Sequence, residues 1–224
     1  GTAINAKGSV SVVSRTDTKG ISDAVIDFSY SALDSLHVSA KEIMKIDSAV
    51  IMCDNTSVVS RTGDVRIIAD AVRIYANADS RGTTSSLIHI SLKPFAEMDI
   101  TADARVVGEN GANVNLAAIA GTLQIAALLP SGSSLHVRGE AFGQQNGATG
   151  NITSTCKNNV TAHTTVNFTG TGSVFQGINV FVTASSPLEM DTEYSQNATY
   201  KAFTVTGLVE NVVTQTVEVV DTVV

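Results

Sequence analysis

Three of the four histidines sit between apolar residues: His37 in "LHV", His89 in "IHI" and His136 in "LHV", displaced from one another by 52 and 47 positions. If each lies on a short strand, alternation turns all three away from the core, and they could share one face. Such a column is the geometry a metal site would need. With two coils of a repeat between them, however, they would stand roughly 10 Å apart, too far to share an ion bonded at about 2.1 Å. They therefore read as solvated face residues, and His163 stands alone.

Carboxylates occur in turn-forming contexts, in "DTKGISD" (17–23) and "DNTS" (54–57), where oxygen ligands could hold calcium. The nonapeptide pattern that builds calcium into β-rolls is absent, as is any D-x-D-x-D-G loop, so structural calcium is only a weaker alternative to no cofactor at all. Arg66 and Arg73, in "DVRIIADAVRIYA", are the nearest approach to the clustered charges of a polysaccharide lyase, and no paired carboxylates accompany them at matching positions. No G-x-S-x-G elbow, phosphate loop or H-E-x-x-H stretch is present. The expectation is a protein with no catalytic, cofactor-binding or metal-binding residues.

Cys53 and Cys156 lie 103 positions apart, without metal or redox spacing, and read as two buried or isolated thiols, with one long-range disulfide as the alternative. Five N-x-S/T sequons begin at Asn55, Asn151, Asn159, Asn167 and Asn197, and they are candidate glycosylation sites if the source glycosylates.

The elements that must position these residues are strands. Val, Ala, Thr, Ser, Asn and Gly dominate the 224 residues, only 16% are charged and 5% aromatic, and there is no Trp. Small and β-branched residues suit pleated strands, and Gly, Asn, Asp and Ser suit turns. The scarcity of aromatic surface counts against a glycan cleft or a base-stacking platform. A net charge of −7 and a pI near 5.0 disfavour nucleic acid and anionic membranes. No apolar run approaches the roughly 20 residues of a membrane span. The chain opens at Gly1 with no signal peptide, as expected of a processed or excised piece.

Apolar-x-apolar triplets recur along the chain, and between Leu36 and Val72 their starts fall at Leu36, Ile43, Val50, Val58, Val65 and Val72, seven or eight residues apart. Three such intervals give a period of 22–23 residues. The hexapeptide "SVVSRT" occurs at Ser11–Thr16 and again at Ser57–Thr62, a displacement of 46 that equals two such periods. The segment "DAVIDFSYSALDSLHV" (23–38) is likewise echoed by "DAVRIYANADSRGTTSSLIHI" (70–90). Self-similarity of this kind predicts an all-β, right-handed parallel β-helix with about 22–23 residues per coil, and eight coils about 40 Å tall. The texture changes near residue 185, so the expected division is a solenoid over 1–184 and a C-terminal strand cap, or linker to a following module, over 185–224.

Residues 8–183 resemble the β-helical repeat regions of large secreted bacterial surface proteins of the adhesin and filamentous-haemagglutinin type. The resemblance is carried by "GDVRIIADAVRIYANADS", "ADARVVGENGANVNLAAIAGTLQIAA" and the "SLHV" repeats. It implies an extracellular, cell-surface role: a non-enzymatic structural or adhesion scaffold whose partner is an unidentified surface glycan or protein. The alternatives are a glycan-processing β-helix enzyme or phage-spike-like depolymerase, recognised by a groove with convergent carboxylates and an aromatic floor, and a filament subunit that associates end to end or laterally.

Overall fold

The computed structural model describes residues 1–29, 35–86, 90–130, 135–147, 150–186, 191–202 and 207–223, with side chains described outside 26–29, 86, 135, 147 and 191–223. The fold is all-β. Its strands are β1 (Ala3–Ala6), β2 (Val10–Ser29), β3 (Ser35–Met52), β4 (Thr56–Ser60), β5 (Val65–Ser86), β6 (Ile90–Gly108), β7 (Val114–Leu128), β8 (Leu135–Gly147), β9 (Gly150–Asn167), β10 (Val174–Ser185), β11 (Asp191–Ala202) and β12 (Gly207–Val223). A 3-10 turn at Glu109–Gly111 leads from β6 towards β7.

All ladders between these strands are parallel. β3, β6, β9 and β12 form a four-stranded sheet in the order β12-β9-β6-β3, and the other eight strands form a second sheet. The chain thus makes four similar passes: β1–β3, β4–β6, β7–β9 and β10–β12. Paired residues lie between 54 positions apart, as in Ala3 with Ser57, and 61, as in Ile74 with Leu135.

The expected repeat of 22–23 residues is therefore not the stacking period, and four passes replace the eight expected coils. The physical reason is visible in β3. Leu36, Val38, Ala40, Met44, Ile46, Ser48, Val50 and Met52 all point inward along one unbroken strand, whereas Ile43, read from sequence as a strand start, is 65% exposed. Ala and Ser fill inward positions without giving an apolar beat, so one alternation of 18 residues looked like three short ones. The two copies of "SVVSRT" do not stack on each other either. Ser11–Thr16 in β2 pairs with Arg66–Ala71 in β5, while Ser57–Ser60 in β4 pairs with Ala3–Ala6 in β1 and with Asn115–Ala118 in β7.

The core lies between the two sheets. Inward positions of the four-stranded sheet carry larger side chains such as Leu92, Met98, Ile100 and Ile152, while the facing half of β5 and β8 carries Ala76, Ala78, Ser80, Gly82, Gly139, Ala141 and Gly143. Small residues on one sheet let the bulk of the other fill the space between them.

Three serines close the bends of this arrangement. The buried Ser48 hydroxyl donates to the Ser14 carbonyl (3.1 Å) and accepts the Asp70 N–H (3.1 Å), beside the bulge where Val72 is left out of the β2–β5 register. Ser80 donates to the Val38 carbonyl (2.8 Å) and accepts the Phe95 N–H (3.2 Å). That bridge sits beside Pro94, which has no N–H to give and falls in the gap of the β6–β9 ladder while remaining in register with Val38 of β3. Ser60 donates to the Gly8 carbonyl (2.8 Å) and accepts the Gly63 N–H (3.0 Å).

Candidate functional site

Outward positions of the four-stranded sheet bring together a group of ionisable side chains around an open groove of about 270 Å³, lined by Lys45, Asp47, Asp103, Arg105, His163 and Thr165. Asp47, Asp103 and His163 are successive members of one ladder, on β3, β6 and β9, so parallel stacking alone places them on neighbouring strands. His163 Nδ1 lies 2.9 Å from Asp103 Oδ1. With Asp103 accepting, the neutral ring carries its proton on Nδ1 and keeps Nε2 as its basic nitrogen. Arg105 donates from Nε (3.1 Å) and a terminal nitrogen (2.6 Å) to the two oxygens of Asp47, and this pairing raises the guanidinium pKa further. All four groups are partly exposed, and each acid has a cation or imidazole beside it.

The outer face of the eight-stranded sheet repeats the pattern. Asp23, Asp79 and Glu140 stand in one ladder, which would stack like charges at strand spacing. Arg81 offsets this by donating from Nε to Asp79 (2.9 and 3.0 Å) and reaching Glu140 (3.4 Å), and Arg138 donates to Glu140 at 2.9 Å. Beside them Tyr75 stacks on His136 with ring centroids 4.7 Å apart, and the Lys19 ammonium lies 5.3 Å from the Tyr75 ring centre. Lys41 with Glu97 (2.8 Å) and Arg73 with Asp17 (2.9 Å) are further pairs between passes.

The residues singled out from sequence are distributed as follows. His37 is exposed on the four-stranded sheet and His136 belongs to the other, so they form no common column; His89 lies outside the described residues. Arg66 donates to Gln124 (3.1 Å), while Arg73 makes a two-pronged pair with Asp17; the Val72 bulge separates them. Asp54 serves its turn, accepting the Asn113 N–H (2.9 Å) and the Asn55 amide (2.8 Å). Among the described residues, no three His, Cys, Asp or Glu side chains are grouped to hold a metal ion. Asn55 is exposed at a turn with φ of 59°, whereas Asn151, Asn159 and Asn167 are half-buried along β9, between β6 and β12. The side chain of Asn197 lies outside the described residues. The Asp103–His163 pair was missed because its 60-residue separation has meaning only once the ladder spacing is known.

Both cysteines are free thiols, Cys53 exposed and Cys156 buried. Burial pushes the Cys156 thiol up from 9.0 to about 11. The folded state thus holds this proton more tightly than the unfolded chain, so its contribution is complete below pH 9 and is lost as pH rises through about 11. A thiol reagent should label Cys53 alone in the native protein and Cys156 only on unfolding. Stability should fall more steeply from pH 9 to 11 in the parent than in Cys156→Ala, by a difference on the order of 2 kcal/mol; parallel profiles would refute the assignment. Among the described residues no helix is long and apolar enough to cross a membrane. No protein-family model, curated protein or solved structure matches this chain.

Proposed function

We propose that this chain is a non-enzymatic scaffold of the cell exterior, a stiff segment of a surface adhesin or fibre that displays its outward faces and turns. The finer architecture we infer is a right-handed parallel β-solenoid whose coils are the four passes, since parallel strands joined through a crossover are right-handed in nearly all proteins. The observation that carries the reading is the continuity of the ladders: residues 54 to 61 apart stack in parallel from the first pass to the last. Outward charges are spent largely on one another between passes, as in Lys41–Glu97, Asp47–Arg105 and Asp17–Arg73, which favours cohesion of the stack.

The Asp103–His163 pair, with Asp47 one strand away, is the observation that favours the glycan-processing alternative. The two readings separate in one experiment. Beads coated with the chain should adhere to a panel of surface glycans and proteins, retain that adhesion in the Asp103→Asn/His163→Ala variant, and release no oligosaccharide. Product release that disappears in the double variant would overturn the scaffold reading in favour of the enzyme.

A further inference from the structure

The outer edges of the first and fourth passes are both open. Among the described residues, β1, β2 and β3 each pair on one side only, with β4, β5 and β6, and β10, β11 and β12 pair only with β7, β8 and β9. Each edge presents a row of unpaired N–H and C=O groups, and because all strands are parallel the two edges are complementary.

The interior is open there as well. In the ladder Val10–Val65–Leu123–Val180 the two middle residues are fully buried, yet Val180 is 44% exposed. Val182 caps the buried Ile67 and Ile125 at 42% exposure, and Phe175 caps Val58 and Leu116 at 38%. At the opposite edge the same ladders end in Val10, Val12 and Ile4, only partly covered.

We propose that these two edges bind each other, so that a second copy of this chain docks head to tail, its β1–β3 continuing the ladders of β10–β12. Register supplies the specificity. Carried one step further, the ladders set Phe175 against Ile4, Val180 against Val10 and Val182 against Val12. The ladder of Met44, Ile100 and Val160 ends at the position of Val217, which falls in register with Met44 of the next copy.

Charge complements the fit. By register, the position of Asp191 ends the ladder of Lys19, Tyr75 and His136, and that of Glu218 ends the ladder of Lys45, Thr101 and Thr161, so each acidic position would fall in line with a lysine position across the junction. By register, Glu193 ends the ladder of Ile21, Asn77 and Arg138, and Asp221 ends that of Ser48, Ala104 and Thr164. Such a contact does not close on itself, and it propagates as a filament along the stacking axis.

The inference rests on the stacked-coil reading above, so its test carries an internal control. In a Cys53→Ser background, Lys45→Cys with Thr101→Cys, which are direct partners on β3 and β6, should oxidise to an intrachain disulfide. That bond reports the stack in monomer and filament alike, and its failure would overturn the architecture itself. For the junction, light scattering of the unmodified 224-residue chain should show mass rising with concentration, with rods seen by negative-stain microscopy. Lys19→Glu with Lys45→Glu should move the assembly midpoint to about tenfold higher concentration or beyond, and adding Asp191→Lys with Glu218→Lys should restore it. A strict monomer at the highest soluble concentration, a closed two-fold dimer, or a charge swap without restoration would each overturn the proposal.

Discussion

Replacing Gly139 by valine should destabilise the fold by at least about 3 kcal/mol, or prevent its accumulation altogether. Ordinarily a glycine inside a strand is a weakness, and adding a side chain there would gain stability. At Gly139 the sign reverses because β8 faces β6 and β9 across the core at close range. A Cβ built on Gly139 would run into the sulfur of Cys156 and stand 3.1 Å from the Met98 methyl and 3.2 Å from Asn158 Oδ1. The sulfur belongs to a fully buried residue packed among other inward side chains. Gly139→Ala should therefore already cost about 1–3 kcal/mol, while Gly8→Ala, where a Cβ meets nothing within 4 Å, should be close to neutral. Adding Cys156→Ala removes the atom that is struck, and the double variant should regain much of the loss. Urea unfolding followed by circular dichroism measures all of these, and a Gly139→Ala variant as stable as the parent would refute the close approach of the sheets.

The same narrow core explains what could and could not be read from the sequence. Strand class was legible because alternation of Val, Ile and Leu with polar residues survives in nearly every segment, and the internal repeats pointed to parallel stacking although neither the two "SVVSRT" copies nor the two "DAV" openings pair with each other. The period was not. Ala40, Ala69, Ala76, Ala78 and Ser48 are as buried as the large aliphatic residues, but a pattern built on Leu, Ile and Val skips them and so splits long strands. Ser48 and Ser80 are also indistinguishable in sequence from loop serines, although each occupies a backbone gap in the opposite sheet or strand. The charged groups show the same dependence. Asp103 and His163, or Asp47 and Arg105, carry no local signature, because their pairing is created by strands that bring together residues 60 and 58 positions apart. What the sequence shows as scattered charges, the stack converts into pairs.

Truncating Ile100 to alanine tests that conversion at its centre and should cost about 2–5 kcal/mol. Ile100 is fully buried on β6, between Met44 of β3 and Val160 of β9 in one inward ladder. With a strand on either side fixed by backbone hydrogen bonds, neither neighbour can collapse into the space left behind, so both the lost transfer energy and the cavity are felt. Ile43 is the informative contrast. It is the same residue type, one position before Met44 in the adjacent strand, and a 22–23-residue coil would make it the start of a buried strand. In the ladders observed it faces outward opposite Asp99 and is 65% exposed. Ile43→Ala should therefore change stability by no more than about 0.5 kcal/mol. Comparable losses at Ile43 and Ile100 would show that β3 is out of register by one residue, which would turn every inward side chain of that strand to solvent. A large loss at Ile100 with almost none at Ile43 fixes the face, the register and the long stacking period together, because only the 56-residue offset between β3 and β6 sets Met44 on Ile100 and Ile43 on Asp99.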